Sequence, residues 1–202
     1  MEDNSISRKW FVAIVTPNTE RACAARLITI HPNVETYVPV QVEMRRWQSK
    51  KSLQQVERVL CPCYLFVRCT ERERKDIKSD KACSFILHFM KDRSRCDSFG
   101  NSMFAEVPDR QMLAFIRMVE DQREVVLAKR IFSRGTKVRV IHGTLKGVEG
   151  VLIRNAKSDS QVISVRIDHV GFASMTISPD EGEIIEEEVR RRRTSYSIRS
   201  RG

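Results

Sequence analysis

The stretch RGTKVRVIHGTLKGVEGVLIR, residues 134–154, constrains the fold more than any other part of the chain. Its apolar residues alternate as in a strand, Val138 and Val140 before a turn and Val148 and Val151 after it. Four glycines nevertheless interrupt it: Gly135, Gly143, Gly147 and Gly150. Glycine weakens a strand unless the backbone needs positive φ or a neighbour must approach closely. The pattern predicts two short strands joined by a tight turn around His142, Gly143 and Thr144, with Gly147 and Gly150 easing a bend in the second strand. Lys137, Arg139 and Lys146 put positive charge around that turn. From Ser133 onward no helical period appears, and strands are expected at 136–141, 147–153, 161–167 and 173–177. Ile163, Val165 and Ile167 share one face of the third. Such a set of short strands predicts a small SH3-like β-barrel.

Residues 7–120 read differently, because strands there alternate with helices. KWFVAIVTP is a strand apolar on both faces and ended by Pro17. Asn18 and Glu20 suit the opening of a helix to about Thr29, with Cys23 and Leu27, and Ala24 and Ile28, at helical spacing. VETYVPVQVE is a second strand, demoted to an edge or a bulge by Pro39. A basic hairpin, MRRWQSKKSLQQ, leads to RVLCPCYLFVRC, the most apolar strand of the chain. Thr70 and Glu73 fit a capping box for a helix to about Lys78. SFILHFM is the next strand, residues 91–104 a loop, and Pro108–Asp109 the start of a helix carrying Met112, Phe115, Ile116 and Val119 on one stripe. The order predicts an α+β sandwich, helices packed on a mostly antiparallel sheet. The charged stretch EDQREVVLAKR separates it from the glycine-rich segment. The expected division is 1–120, a linker at 121–132, a barrel at 133–188 and a basic tail at 189–202.

Charge narrows the partners. The chain of 202 residues carries a net charge of +10, which favours nucleic acid or an anionic protein surface. Six arginines between Arg190 and Arg201 are cancelled by six acids between Asp180 and Glu188, so the surplus belongs to residues 1–179. No apolar run is long enough to span a bilayer, and the N-terminal MEDNSISRKW lacks the apolar core of a signal peptide. A cytoplasmic monomer is expected. The six cysteines are spaced poorly for zinc, Cys61-Pro62-Cys63 being too tight, and read as small apolar fillers in a reducing compartment. The four histidines are scattered, no phosphate loop is present, and no nucleophile–base arrangement occurs. No catalytic residue, metal or cofactor is expected, and the chain reads as a non-enzyme.

With these residues in view, Gly135, Gly143, Lys146, Gly147 and Gly150 resemble the KOW motif. WFVAIVTPNTE and LCPCYLFV are similar to the opening strand and the central strand of the NGN domain of the NusG transcription elongation factors. The order of the two covers nearly the whole chain. FILHFMKDRSR and VPDRQMLAFIRMVE look most like the specialised NusG paralogues of capsular or exopolysaccharide gene clusters. Cys61 and Cys63 stand where that family's strand has Phe and Gly, and DKACSFIL replaces its Pro-Gly-Val segment.

The resemblance implies an antitermination or elongation factor that suppresses pausing. It implies docking on the clamp helices of the β′ subunit of RNA polymerase through Ile14, Tyr64 and Phe66, with Cys61 near the rim. The strand period puts Tyr64 and Phe66 on one face and Leu65 and Val67 on the other, but leaves open which face is the core. Arg45, Arg46, Trp47, Lys50 and Lys51 combine cations with an indole, a set suited to single-stranded nucleic acid, either non-template DNA or nascent RNA; the other reading is a solvated loop whose Trp packs back on the sheet. Arg21 is a further candidate contact. In the barrel, Arg139, His142, Gly143, Lys146 and Gly147 form a loop that the resemblance assigns to a partner such as Rho or a ribosomal protein. The alternative function is a KOW-type RNA-binding protein of the ribosome or its assembly.

Overall fold

A computed structural model describes residues 7–46, 53–121, 123–129, 136–154 and 161–186. The first sheet is antiparallel and built around β1 (Lys9–Ile14) and β5 (Tyr64–Cys69), paired from Lys9 opposite Cys69 to Ile14 opposite Tyr64. β2 (Glu35–Tyr37) flanks β5, while β6 (His88–Phe89) and β9 (Glu106–Val107) share the other edge of β1. The double-sided apolar character of KWFVAI has a direct cause, since both faces of this sheet are covered. On one face Phe11, Ala13, Leu65 and Val67 lie under α1 (Glu20–Ile30) and α2 (Glu71–Ser79), which contribute Cys23, Leu27 and Ile77. On the other, Trp10, Val12 and Phe66 lie under α3 (Asp109–Glu120), through Met112, Phe115 and Met118.

Local signals set the helix ends. Thr70 and Glu73 form the expected capping box. The Thr70 hydroxyl accepts from the Glu73 N–H at 3.1 Å, and the Glu73 carboxylate accepts from the Thr70 N–H at 2.8 Å. β3 (Val40–Arg46) and β4 (Leu53–Val59) form a hairpin that, among the described residues, pairs with no other strand. The segment expected to be a loop after Met90 is instead a second hairpin, β7 (Lys91–Cys96) with β8 (Ser102–Phe104).

The expected C-terminal barrel is not found. β10 (Val125–Ala128), β11 (Thr136–Val140), β12 (Glu149–Arg154), β13 (Gln161–Ile167), β14 (Gly171–Ile177) and β15 (Gly182–Glu186) form one open sheet in the order β10-β14-β13-β12-β11-β15. Its two end strands do not pair with each other, so among the described residues it does not close. A barrel strand must bond on both sides, whereas β10 and β15 each bond on one. The sheet covers its apolar face differently: Val138, Ile163, Val165, Ile167 and Met175 continue the same buried cluster that holds Phe66 and Phe115. Helix α3 thus lies between the two sheets. Among the described residues no helix is long and apolar enough to cross a membrane.

Candidate functional site

Antiparallel pairing places directly opposed residues on the same side of a sheet. Ile14 faces Tyr64 and Val12 faces Phe66, so the first sheet presents Val12, Ile14, Tyr64 and Phe66 together. Tyr37, brought alongside Phe66 by β2, joins them. Tyr37, Phe66 and Phe115 form a triangle of rings with centroids 6.1–6.3 Å apart, two of the three contacts edge-on. That geometry suits the ring quadrupoles. Tyr37 is not among the expected site residues; only its register opposite Phe66 brings it there.

The face is not uniformly accessible. Phe66 is 0% exposed and Cys61 only 4%, so neither forms part of an open patch; Phe66 is instead the centre of the aromatic triangle beneath α3. Burial pushes the Cys61 thiol up to about 12, which keeps it protonated and unreactive. Ile14 and Tyr64, opposed at one end of β1 and β5, are half-buried and pack against the same cluster. Burial raises the Tyr64 phenol above its ordinary value, with smaller contributions from Cys61 and Cys63, so it is neutral at physiological pH. The chemistry on offer is apolar contact plus one neutral hydroxyl.

The structure brings the nucleic-acid candidates together only in part. Arg21, exposed on α1, pairs with Glu57 on β4, which ties that helix to the hairpin. Arg45 and Arg46 end β3, while Trp47, Lys50 and Lys51 lie outside the described residues. Across the same hairpin, Arg58 meets Glu43 at 2.7 Å.

The glycine loop of the second sheet folds inward as well as outward. His142 and Lys146 are exposed, but Leu145 between them is fully buried. Arg117 of α3 donates to the Lys146 carbonyl at 3.1 Å. Arg139 and Arg110 both pair with Glu149, the former at 2.7 Å. Gly143 faces the Glu181 carboxylate, and Gly147 has φ 88°, a conformation that side chains resist. Beside this loop, Arg123 grips both oxygens of Asp121 at 2.8 and 3.0 Å and reaches Glu181 at 2.8 Å. Thr144 adds its hydroxyl to the same Asp121 carboxylate. These bonds join the end of α3 to the second sheet. The Arg123 hydrogen bonds hold the Asp121 carboxyl well below the usual carboxylate range.

The family described as Transcription termination factor nusG matches residues 8–116. No curated protein matches the sequence. Among solved structures, the chain is similar to that described as Domain interaction in Thermotoga maritima NusG, 18% identical, over 90% of this chain and 99% of the other, with a TM-score of 0.48. It is also similar to the MjSpt4:Spt5 complex in conformations A and B, 11% and 12% identical, over 88% of this chain and 99% and 97% of theirs, each with a TM-score of 0.27.

Proposed function

The chain belongs to the NusG family of transcription factors, which are non-catalytic scaffolds, and we propose that it is an elongation or antitermination factor that docks on RNA polymerase. The docking surface in this reading is the accessible end of the first sheet, Ile14 and Tyr64, seated on Phe66 with Cys61 beneath, and it meets the clamp helices of the β′ subunit. One observation carries the reading. The Ile14–Tyr64 cross-strand pair is the solvent end of an otherwise buried apolar face, and aromatic anchors of this kind dominate interface energies. Binding that favours the closed clamp over the open one suppresses pausing, since a ligand shifts an equilibrium by its difference in affinity for the two states.

Arg21, Arg45, Arg46, Trp47, Lys50 and Lys51 would follow exposed non-template DNA or nascent RNA. The pairing of Arg21 with a hairpin residue supports a shared surface for the helix and the hairpin. Arg139, His142, Gly143, Lys146 and Gly147 would recruit a further partner such as Rho or a ribosomal protein. In this reading residues 1–120 dock and 133–188 recruit, 121–132 connect them while lending β10 to the second sheet, and the protein works in the cytoplasm as a monomer. The resemblance of residues 85–95 and 107–120 to specialised paralogues supports a narrower role at one polysaccharide-synthesis operon.

The test is binding of the full chain to purified core RNA polymerase, with Ile14→Ser and Tyr64→Ala introduced together. The expected loss is about 2 kcal/mol, roughly 30-fold in Kd, with unchanged circular dichroism. Undiminished binding by the folded double variant overturns the docking surface. Retention on ribosomes with no affinity for polymerase would favour the ribosomal alternative.

A further inference from the structure

Where α1 ends, it meets the turn that follows α2 in a cluster that the docking surface does not use. His31 closes α1, its backbone N–H donating to the Leu27 carbonyl at 2.8 Å. Asp80 closes α2 and opens a single 3-10 turn, Lys81–Cys83. One Asp80 oxygen, Oδ1, is fixed by the Ala82 N–H at 2.8 Å, which leaves Oδ2 to face His31. The Cys83 N–H donates to the Asp80 carbonyl at 3.0 Å, and a spacing of three on such a turn sets both side chains on one side.

The result is a compact donor set. One imidazole nitrogen of His31, one carboxylate oxygen of Asp80 and the sulfur of Cys83 all lie within 4.8 Å of one another. His31 Nε2 is buried yet makes no aligned hydrogen bond among the described residues, although it stands 3.4 Å from Asp80 Oδ2. A buried polar nitrogen left without a partner is costly and calls for an explanation. The 3.4 Å separation is itself informative. Two ligands bound tetrahedrally to zinc at about 2.0–2.1 Å stand about 3.4 Å apart.

We propose that His31, Asp80 and Cys83 form a binding site for a zinc-class dication, with water completing the tetrahedron. Nitrogen, oxygen and sulfur together are a zinc donor set. Neutral imidazole, carboxylate and thiolate sum to two negative charges, which a dication neutralises. Cys83 would bind as thiolate, so loading with metal displaces a proton from the sulfur. The ion would clamp the end of α1 to the end of α2, both on the same face of the first sheet. The competing account is a direct pairing of His31 with Asp80 beside an inert buried thiol.

Cobalt(II), which reports thiolate ligation by a charge-transfer band in the near ultraviolet, is the probe. The full chain, freed of metal by chelation, is titrated with cobalt and then competed with zinc. One cobalt per chain with that band, displaced by zinc, is the expected result. Cys83→Ser abolishes the band, whereas Cys96→Ser, at an exposed cysteine outside the cluster, preserves it. His31→Gln and Asp80→Asn, at partly exposed positions, raise the cobalt concentration required at least tenfold and decide the matter if Cys83→Ser fails to fold. Absence of the band in the natural chain overturns the site, as does a band that survives in Cys83→Ser or titrates unchanged in both other variants.

Discussion

At the scale of single residues, Cys63 shows how a departure from a family's pattern is accommodated. It stands where the resemblance expects glycine, and its φ of 70° explains the expectation, because side chains resist that region. The conformation is held from outside. The Cys63 N–H donates to Glu20 at 2.7 Å, and the Val15 N–H donates to the Cys63 carbonyl at 2.9 Å. Glu20, only 2% exposed, spends its carboxylate on this turn and on the Asn18 N–H at 3.2 Å. Replacing Cys63 by glycine removes the side-chain conflict while leaving those backbone bonds, so Cys63→Gly is expected to stabilise the chain by about 1 kcal/mol, read from urea unfolding. A loss of stability would mean that the packing of the side chain outweighs the strain. Such residues are poorly legible in advance. Glu20, and Arg74, which packs against Phe11, Phe89 and Phe104, read as surface charge until the fold brings Cys63 and those rings to them.

At the scale of elements, the glycine-rich stretch answers the problem it poses through two different mechanisms. Gly147 supplies a positive φ at the turn. Gly150, inside β12, supplies room: a Cβ there would come within 2.7 Å of the Ser164 carbonyl oxygen of β13. Strand β12 can lie against β13 at this point only without a side chain. Gly150→Ala is therefore expected to destabilise by roughly 2 kcal/mol or more, seen as a lower urea midpoint, because a backbone neighbour cannot swing aside. A neutral result would show that the sheet opens there at little cost.

Strong local signals carried over well to the elements: the capping box at Thr70, Pro108 before α3, and the alternation of Gln161–Ile167. The β7–β8 hairpin was not legible, because KDRSRC offers no apolar alternation and is mostly exposed. β10 was not legible either, because VVLA is too short for any period to declare itself. That omission bears on the barrel, since β10 takes the free edge of β14 and the sheet stays open.

At the scale of the whole molecule, ion pairs and one helix join the two sheets. The Asp121–Arg123–Glu181 group, with Thr144, sits where α3 gives way to β10. Because the Asp121 carboxyl titrates lower in the folded chain than in the unfolded one, its contribution is complete above the unfolded value of about 4 and is lost as pH falls toward the folded one. Urea midpoints should therefore drop between about pH 5 and pH 2, and Asp121→Asn should lower the neutral-pH midpoint while flattening that acid slope. An unchanged slope would show that other carboxylates govern the acid response. The proposed docking face was half legible at this scale. Strand period grouped Tyr64 with Phe66, but only the packing of Tyr37 and Phe115 around Phe66 shows that it is buried while Tyr64 is half-exposed.

Helix α3 buries side chains toward two sets of neighbours, while Asp109, Arg110, Leu113, Arg117 and Glu120 stay exposed. Met112, Phe115 and Met118 are buried in the cluster shared by both sheets, while Arg110 and Arg117 bond to the second sheet from its flank. A helix with one buried stripe can trade residues with a single set of neighbours, and a change in shape is absorbed locally. This one has neighbours on two sides whose shapes must be met at once. Its buried positions should thus be the slowest in the chain to drift, and a change tolerated there should require matching changes on β1 and β13 together.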